Sequence, residues 1–205
     1  MALVQSQQEP LHMTEAEYLE FEEASDIRHE YVNGYVKAMA GASWTHTVIT
    51  QSTGTTLDMQ LLDKPCVVVS SDIKLRVQSK KVSFRYPDVM VVCGEPNFVD
   101  ERVDIIDNPT VIVEVSSPST ALEDRNEKLE EYTRLESLQE YVLISQDEAK
   151  IERYLRHEGE WLYSNVRGLD ANLTLPSIGV TLDFAFVYKK ITLKHETDNE
   201  TEEET

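Results

Sequence analysis

Glu114 stands in the run VIVEV, where every neighbour is Val or Ile, and such a run reads as a strand buried on both faces. A carboxylate there loses its hydration. It must be hydrogen-bonded, paired with a cation or bound to a metal, or else it protonates. A second stretch, RYPDVMVV, repeats the anomaly by setting Asp88 at the start of another apolar strand. Two carboxylates on strands this close in sequence make a hard-cation site a natural solution, because Mg²⁺ is commonly held by one or two carboxylates plus waters and substrate phosphates. Strand alternation sharpens the placement: Ile112, Glu114 and Ser116 share one face and Val111, Val113 and Val115 the other.

The 205 residues fit one domain with a sizeable core, expected over residues 13–191 between a polar N-terminus (1–12) and an acidic tail (192–205). No apolar run approaches the roughly 20 residues of a membrane helix, and the start MALVQSQQEPLHM lacks the pattern of a signal peptide. A cytoplasmic location is the expectation that follows. Cys66 and Cys93 are too few for a zinc motif or a disulfide framework and read as two reduced core thiols. The net charge is −19, from 38 acids and 19 bases. Without the six acids of HETDNETEEET there remain 32 acids against 19 bases, or −13. A surface of that sign opposes non-specific binding to nucleic acid, which depends on Lys and Arg neutralising phosphates.

Along the chain, Thr14 and Glu17 have capping-box spacing and open a helix to about Ala24. In RHEYVNGYVKAMAG, Asn33-Gly34 marks a hairpin with Arg28, Glu30 and Val32 on one face and His29 and Tyr31 on the other. A helix is expected from Ser43 to about Leu62, then strands at CVVV and Asp72–Val77. Lys74, Arg76, Lys80, Lys81 and Arg85 form the densest basic cluster. Residues 94–109 read as a long connection, and Thr120 with Glu123 opens a second capped helix to about Glu136. EYVLIS, KIERYLRH and EWLYSNVRG read as a strand and a hairpin, and LPSIGVTLDFAFVYKKI as a lid or short final helix. This order implies an α/β or α+β fold with a central mixed sheet flanked by helices.

The order RHEYVNGYV, a His-containing helix, YPDVMVV, VIVEVSSPST and DRNEKLEEY resembles the PD-(D/E)XK nuclease superfamily, and within it the Uma family of restriction-endonuclease-like proteins. The resemblance covers roughly residues 13–190. It implies the restriction-endonuclease-like fold, with its N-terminal helix and β-hairpin, and a Mg²⁺-dependent (or Mn²⁺-dependent) endonuclease cutting DNA. It implies that Asp88 and Glu114 bind the metal, that Glu30 joins them, and that Lys128 is the charged helper. The superfamily usually carries a Lys two residues after the Glu, where this chain has Ser116. In the Uma branch that Lys has moved to the following helix, where Asp124 and Tyr132 would orient Lys128. A homodimer would match the two-fold symmetry of a duplex.

Plainer readings stand beside each role. Asp88 also reads as a strand-start residue, Glu30 as a solvent-facing hairpin position and Lys128 as the partner of Asp124 in an exposed i,i+4 pair. His46 reads as a satisfied helix residue, and the basic cluster as a solvated strand edge. Two rival functions remain: a nuclease fold retained for binding or assembly without turnover, and a hydrolase of small phosphorylated substrates using the same carboxylates.

Overall fold

The structure is a computed structural model that describes residues 11–78 and 81–193. Strand β1 (Leu11–His12) precedes helix α1 (Glu15–Glu23), whose capping box forms as expected: Thr14 Oγ1 accepts the Glu17 N–H and the Glu17 carboxylate accepts the Thr14 N–H. β2 (His29–Val32) and β3 (Tyr35–Ala38) are the expected hairpin. Its turn has φ of 55° at Asn33 and 98° at Gly34, the left-handed pair an Asn-Gly hairpin uses. A Cβ on Gly34 would meet the His12 ring at 2.7 Å, so the turn also needs Gly for space. Leu11 and His12 pair with β3. Residues 1–10 and the tail from residue 194 lie outside the described residues, while Leu193 is buried in the core.

Helix α2 (Trp44–Leu61) starts at its N-cap Ser43 and buries Ile49, Leu57 and Leu61. The strands β4 (Cys66–Ser70), β5 (Lys74–Gln78), β6 (Val82–Arg85) and β7 (Val89–Cys93) follow, then β8 (Ile105–Ile106) inside the expected long connection and β9 (Val111–Ser116). The second expected helix, α3, runs through Ala121–Glu123, a π-helical turn Asp124–Lys128, and Leu129–Tyr132, but its capping box does not form: Thr120 Oγ1 accepts the Ser117 N–H instead. β10 (Glu140–Ser145), β11 (Lys150–His157) and β12 (Glu160–Arg167) are the expected strand and hairpin. The C-terminal segment holds a further hairpin, β13 (Asn172–Leu175) with β14 (Val180–Asp183), before helix α4 (Phe184–Val187).

The central sheet is mixed, in the order β12-β11-β10-β9-β7-β4, with β9 and β10 parallel. A second sheet has the order β1-β3-β2-β6-β5-β8. The alternation of β9 holds. Val111, Val113 and Val115 join the core formed with α2 and the C-terminal hairpin, whereas Ile112 joins the core under α3 with Tyr132, Tyr141 and Leu143. Glu114 shares the Ile112 face and is therefore directed to the α3 side. The expectation of two free thiols is corrected: Cys66 and Cys93 lie opposite each other in the β4–β7 ladder, with Cα atoms 3.9 Å apart, and form a disulfide. Two thiols 27 residues apart in sequence become neighbours only through that register.

Candidate active site

The β7–β9 ladder pairs Val89 with Val113, so its next step sets Asp88 against Glu114. Asp88 lies just before β7, where the ladder ends, and its Oδ2 accepts the Val115 N–H at 2.7 Å. The carboxylate thus satisfies a backbone donor that a longer strand would have paired. Its other oxygen, Oδ1, is 2.9 Å from His46 Nε2, near the start of α2. That hydrogen bond raises the His46 pKa, against the opposing effect of burial.

Glu114 is 4% exposed, and its Oε1 accepts from the Tyr132 hydroxyl at 2.9 Å and lies 3.0 Å from Lys128 Nζ. Burial raises the Glu114 pKa while Lys128 pulls it down, and Asp88 and Asp124 push it further up. Burial alone would lower the Lys128 pKa, but Glu114, Glu30 and Asp124 together hold the ammonium firmly charged. Lys128 also lies 3.2 Å from Asp124 Oδ1. This i,i+4 pair is buried, not exposed, with side-chain exposures of 12% and 2%. The π turn carries both residues, and the Tyr141 hydroxyl donates to the Asp124 carbonyl at 3.1 Å where the turn begins. Ser116 donates to Asp124 Oδ2 at 2.8 Å. Ser116 is thus tied to the turn of α3 that carries Lys128. Of the two side chains expected to orient Lys128, Asp124 lies within ion-pair distance of it, whereas the Tyr132 hydroxyl is bonded to Glu114.

Glu30 is engaged by Arg85. Its Oε2 accepts from Arg85 Nη1 at 2.9 Å. Arg85 is wholly buried, and also donates to Glu123 at 3.0 Å and in bidentate fashion to Glu131 at 2.9 and 3.1 Å. A buried guanidinium demands this compensation, which draws Glu30 towards β6 and α3. Among the described residues, no three His, Cys, Asp or Glu side chains are grouped as a metal centre requires. The basic cluster is spent in a similar way: Lys74 pairs with Asp104, Arg76 with Glu15 and Arg85 with its carboxylates, while Lys80 lies outside the described residues.

The pattern of the Uma2 family, described as "Putative restriction endonuclease", matches residues 15–185. The chain belongs to the Uma2 family. Two uncharacterized proteins of Synechocystis sp. are similar to it, one 35% identical over 78% of this chain and 91% of its own length, the other 33% identical over 84% and 90%. The crystal structure of a protein described as "a putative nuclease belonging to DUF820" from Anabaena variabilis ATCC 29413 has the same fold. It superposes with a TM-score of 0.68 at 16% identity, covering 88% of this chain and 98% of that one.

In this Uma2-family chain Asp88, Glu114 and Lys128 come together, and Glu30 reaches them only through the field it exerts on Lys128. The two carboxylates Asp88 and Glu114 are donors of the chemical kind a hard divalent cation takes, without a third such side chain grouped with them among the described residues. Asp88 and Glu114 offer carboxylate oxygens, and with Asp124 they put three carboxylates around one ammonium and one imidazole. His46 and Asp124 emerge from the geometry more strongly than from the sequence. The signal for His46 was its place three residues after the N-cap Ser43, which aims an N-terminal turn at the strand ends.

Proposed function

We propose that this protein is a divalent-metal-dependent phosphodiesterase acting on DNA, with Asp88 and Glu114 holding Mg²⁺ or Mn²⁺ and Lys128 as the charged group beside them. The observation that carries this reading is the 3.0 Å approach of Lys128 Nζ to Glu114 Oε1, delivered from α3. It supplies the positive charge that Ser116 cannot. A divalent cation held by Asp88 and Glu114 would supply Lewis acidity toward the phosphodiester and toward a water. The chain does the remaining work. Lys128 presents an ammonium that three carboxylates keep charged, and it stabilises charge developing on the phosphate oxygens. Tyr132 fixes one oxygen of Glu114, Asp124 fixes Lys128, and the Arg85 network ties α3 to the second sheet through Glu30, Glu123 and Glu131. A homodimer would present two such sites to a duplex.

A second reading is favoured by one observation. Three members of the basic cluster, Lys74, Arg76 and Arg85, are paired internally. A small phosphorylated substrate requires no basic strip. The test measures Mg²⁺ and Mn²⁺ binding by calorimetry alongside cleavage of mixed DNA and of nucleotide substrates, for the wild type and for Asp88→Ala with Glu114→Ala. Metal uptake and DNA cleavage that are both lost in the double variant are expected. Cleavage of nucleotides but not DNA would favour the second reading, and metal uptake without any turnover would make the fold a binding module. A wild type that takes up neither metal would remove the basis of the metal-centred reading.

A further inference from the structure

We propose that His46 is a positioning residue for Asp88, holding its carboxylate in the orientation in which it serves as a metal ligand; this inference rests on the metal-centred reading above. Asp88 lies outside β7, so the strand ladder does not fix its side chain. Two contacts do so, one on each oxygen: the Val115 N–H on Oδ2 at 2.7 Å and His46 Nε2 on Oδ1 at 2.9 Å. The first is backbone and common to any strand end of this shape. The second depends on one side chain.

The helix start that carries the imidazole is itself held in place. The His46 backbone N–H donates to Ser43 Oγ at 3.1 Å, and the Ser43 hydroxyl donates to Gln146 Oε1 at 3.0 Å. The Gln146 N–H in turn donates to the Ser116 carbonyl at 3.1 Å, two residues beyond Glu114 in β9. The start of α2 is therefore tied to the same strand ends that carry the carboxylates. An ionised carboxylate has about four lone-pair directions. The two contacts use one on each oxygen and leave capacity for a cation. Partners of this kind fix the orientation of a ligating carboxylate, and their loss typically weakens metal affinity by about 10–100-fold.

The test is a Mn²⁺ titration by calorimetry of the full chain, comparing the wild type with His46→Gln, His46→Ala and His46→Leu, with a thermal melt of each. His46→Ala is expected to bind Mn²⁺ about 10–100-fold more weakly. His46→Leu keeps bulk at the helix start but has no donor, and should fall as far. His46→Gln retains an N–H that can reach the same oxygen and should stay close to the wild type. A Leu variant that binds like the wild type, or a folded Gln variant that falls as far as the Leu variant, overturns the proposal. If His46→Ala does not fold, the Gln–Leu comparison still decides. A wild type that takes up no Mn²⁺ overturns the metal-centred reading itself, and this inference with it, before any variant is compared.

Discussion

Lys128 Nζ lies 3.0 Å from Glu114 Oε1, although the two residues belong to separate elements, helix α3 and strand β9. Both side chains are nearly withdrawn from water, so salt screens the pair little and each charge depends on the other. Ser116, two residues further along the same strand, contacts Asp124 of the turn that carries Lys128. The ammonium and Asp124 come from the same turn of α3, one meeting Glu114 and the other Ser116, on one face of β9.

Breaking this pair from one side should cost more than removing it whole. Lys128→Met leaves a buried carboxylate without its cation, and such a change costs about 3–5 kcal/mol. Adding Glu114→Gln should restore most of that loss, because the neutral amide can still accept from Tyr132. Urea unfolding of the two single variants and the double variant checks this. Strictly additive losses would show that the pair is not coupled.

Arg85 carries a larger structural load. Its replacement by Leu strands Glu30, Glu123 and Glu131 around an apolar side chain, and the protein should lose at least about 3–5 kcal/mol or fail to fold. Arg85→Lys should recover only part, since an ammonium cannot reproduce the bidentate bond to Glu131 while reaching Glu30. Chemical denaturation of both variants is the measurement; a Lys variant as stable as the wild type would mean that charge alone suffices.

Arg85 also marks the limit of what pattern reading can recover. Local signals were legible: the Thr14–Glu17 box, the Asn33-Gly34 turn and the two-faced burial of β9 around Glu114 all rest on neighbours in sequence. Arg85 looked like one of five basic residues on an edge and turn, and only the packing of β6 against α3 makes it the largest fully buried side chain. The bond from Arg85 to Glu30 was hidden for the same reason. The cysteine pair, the second sheet and the β13–β14 hairpin depend on register between distant segments, which alternation cannot supply.

Acid stability should depend on Glu152. Burial opposes its ionisation, but hydrogen bonds and charge from Arg125 and Lys150 outweigh that and hold its pKa down to about 2, against 4.5 for an ordinary glutamate. The folded pKa is the lower one, so the unfolded chain binds the proton first. The stabilisation is therefore complete above the unfolded value and is lost as pH falls through the folded one. Glu152→Gln should be less stable than the wild type at pH 6, with the gap narrowing steadily from about pH 5 towards pH 2. Urea midpoints across that range test it, and a constant gap would assign the effect to packing.

The disulfide closes a loop from Cys66 to Cys93 that contains β5, β6 and Asp88. Cross-linking a loop of this length restricts the unfolded chain and contributes about 2–4 kcal/mol. The described structure has no free cysteine, so the native protein should show no titratable thiol in denaturant without reductant, and two after reduction. Dithiothreitol or Cys66→Ser with Cys93→Ser should lower the melting temperature by several degrees. β4 is an edge strand bonded only to β7, so hydrogen exchange should rise first in Cys66–Ser70. If two thiols titrate before reduction, the bond is absent and the β4 edge is held by its ladder alone.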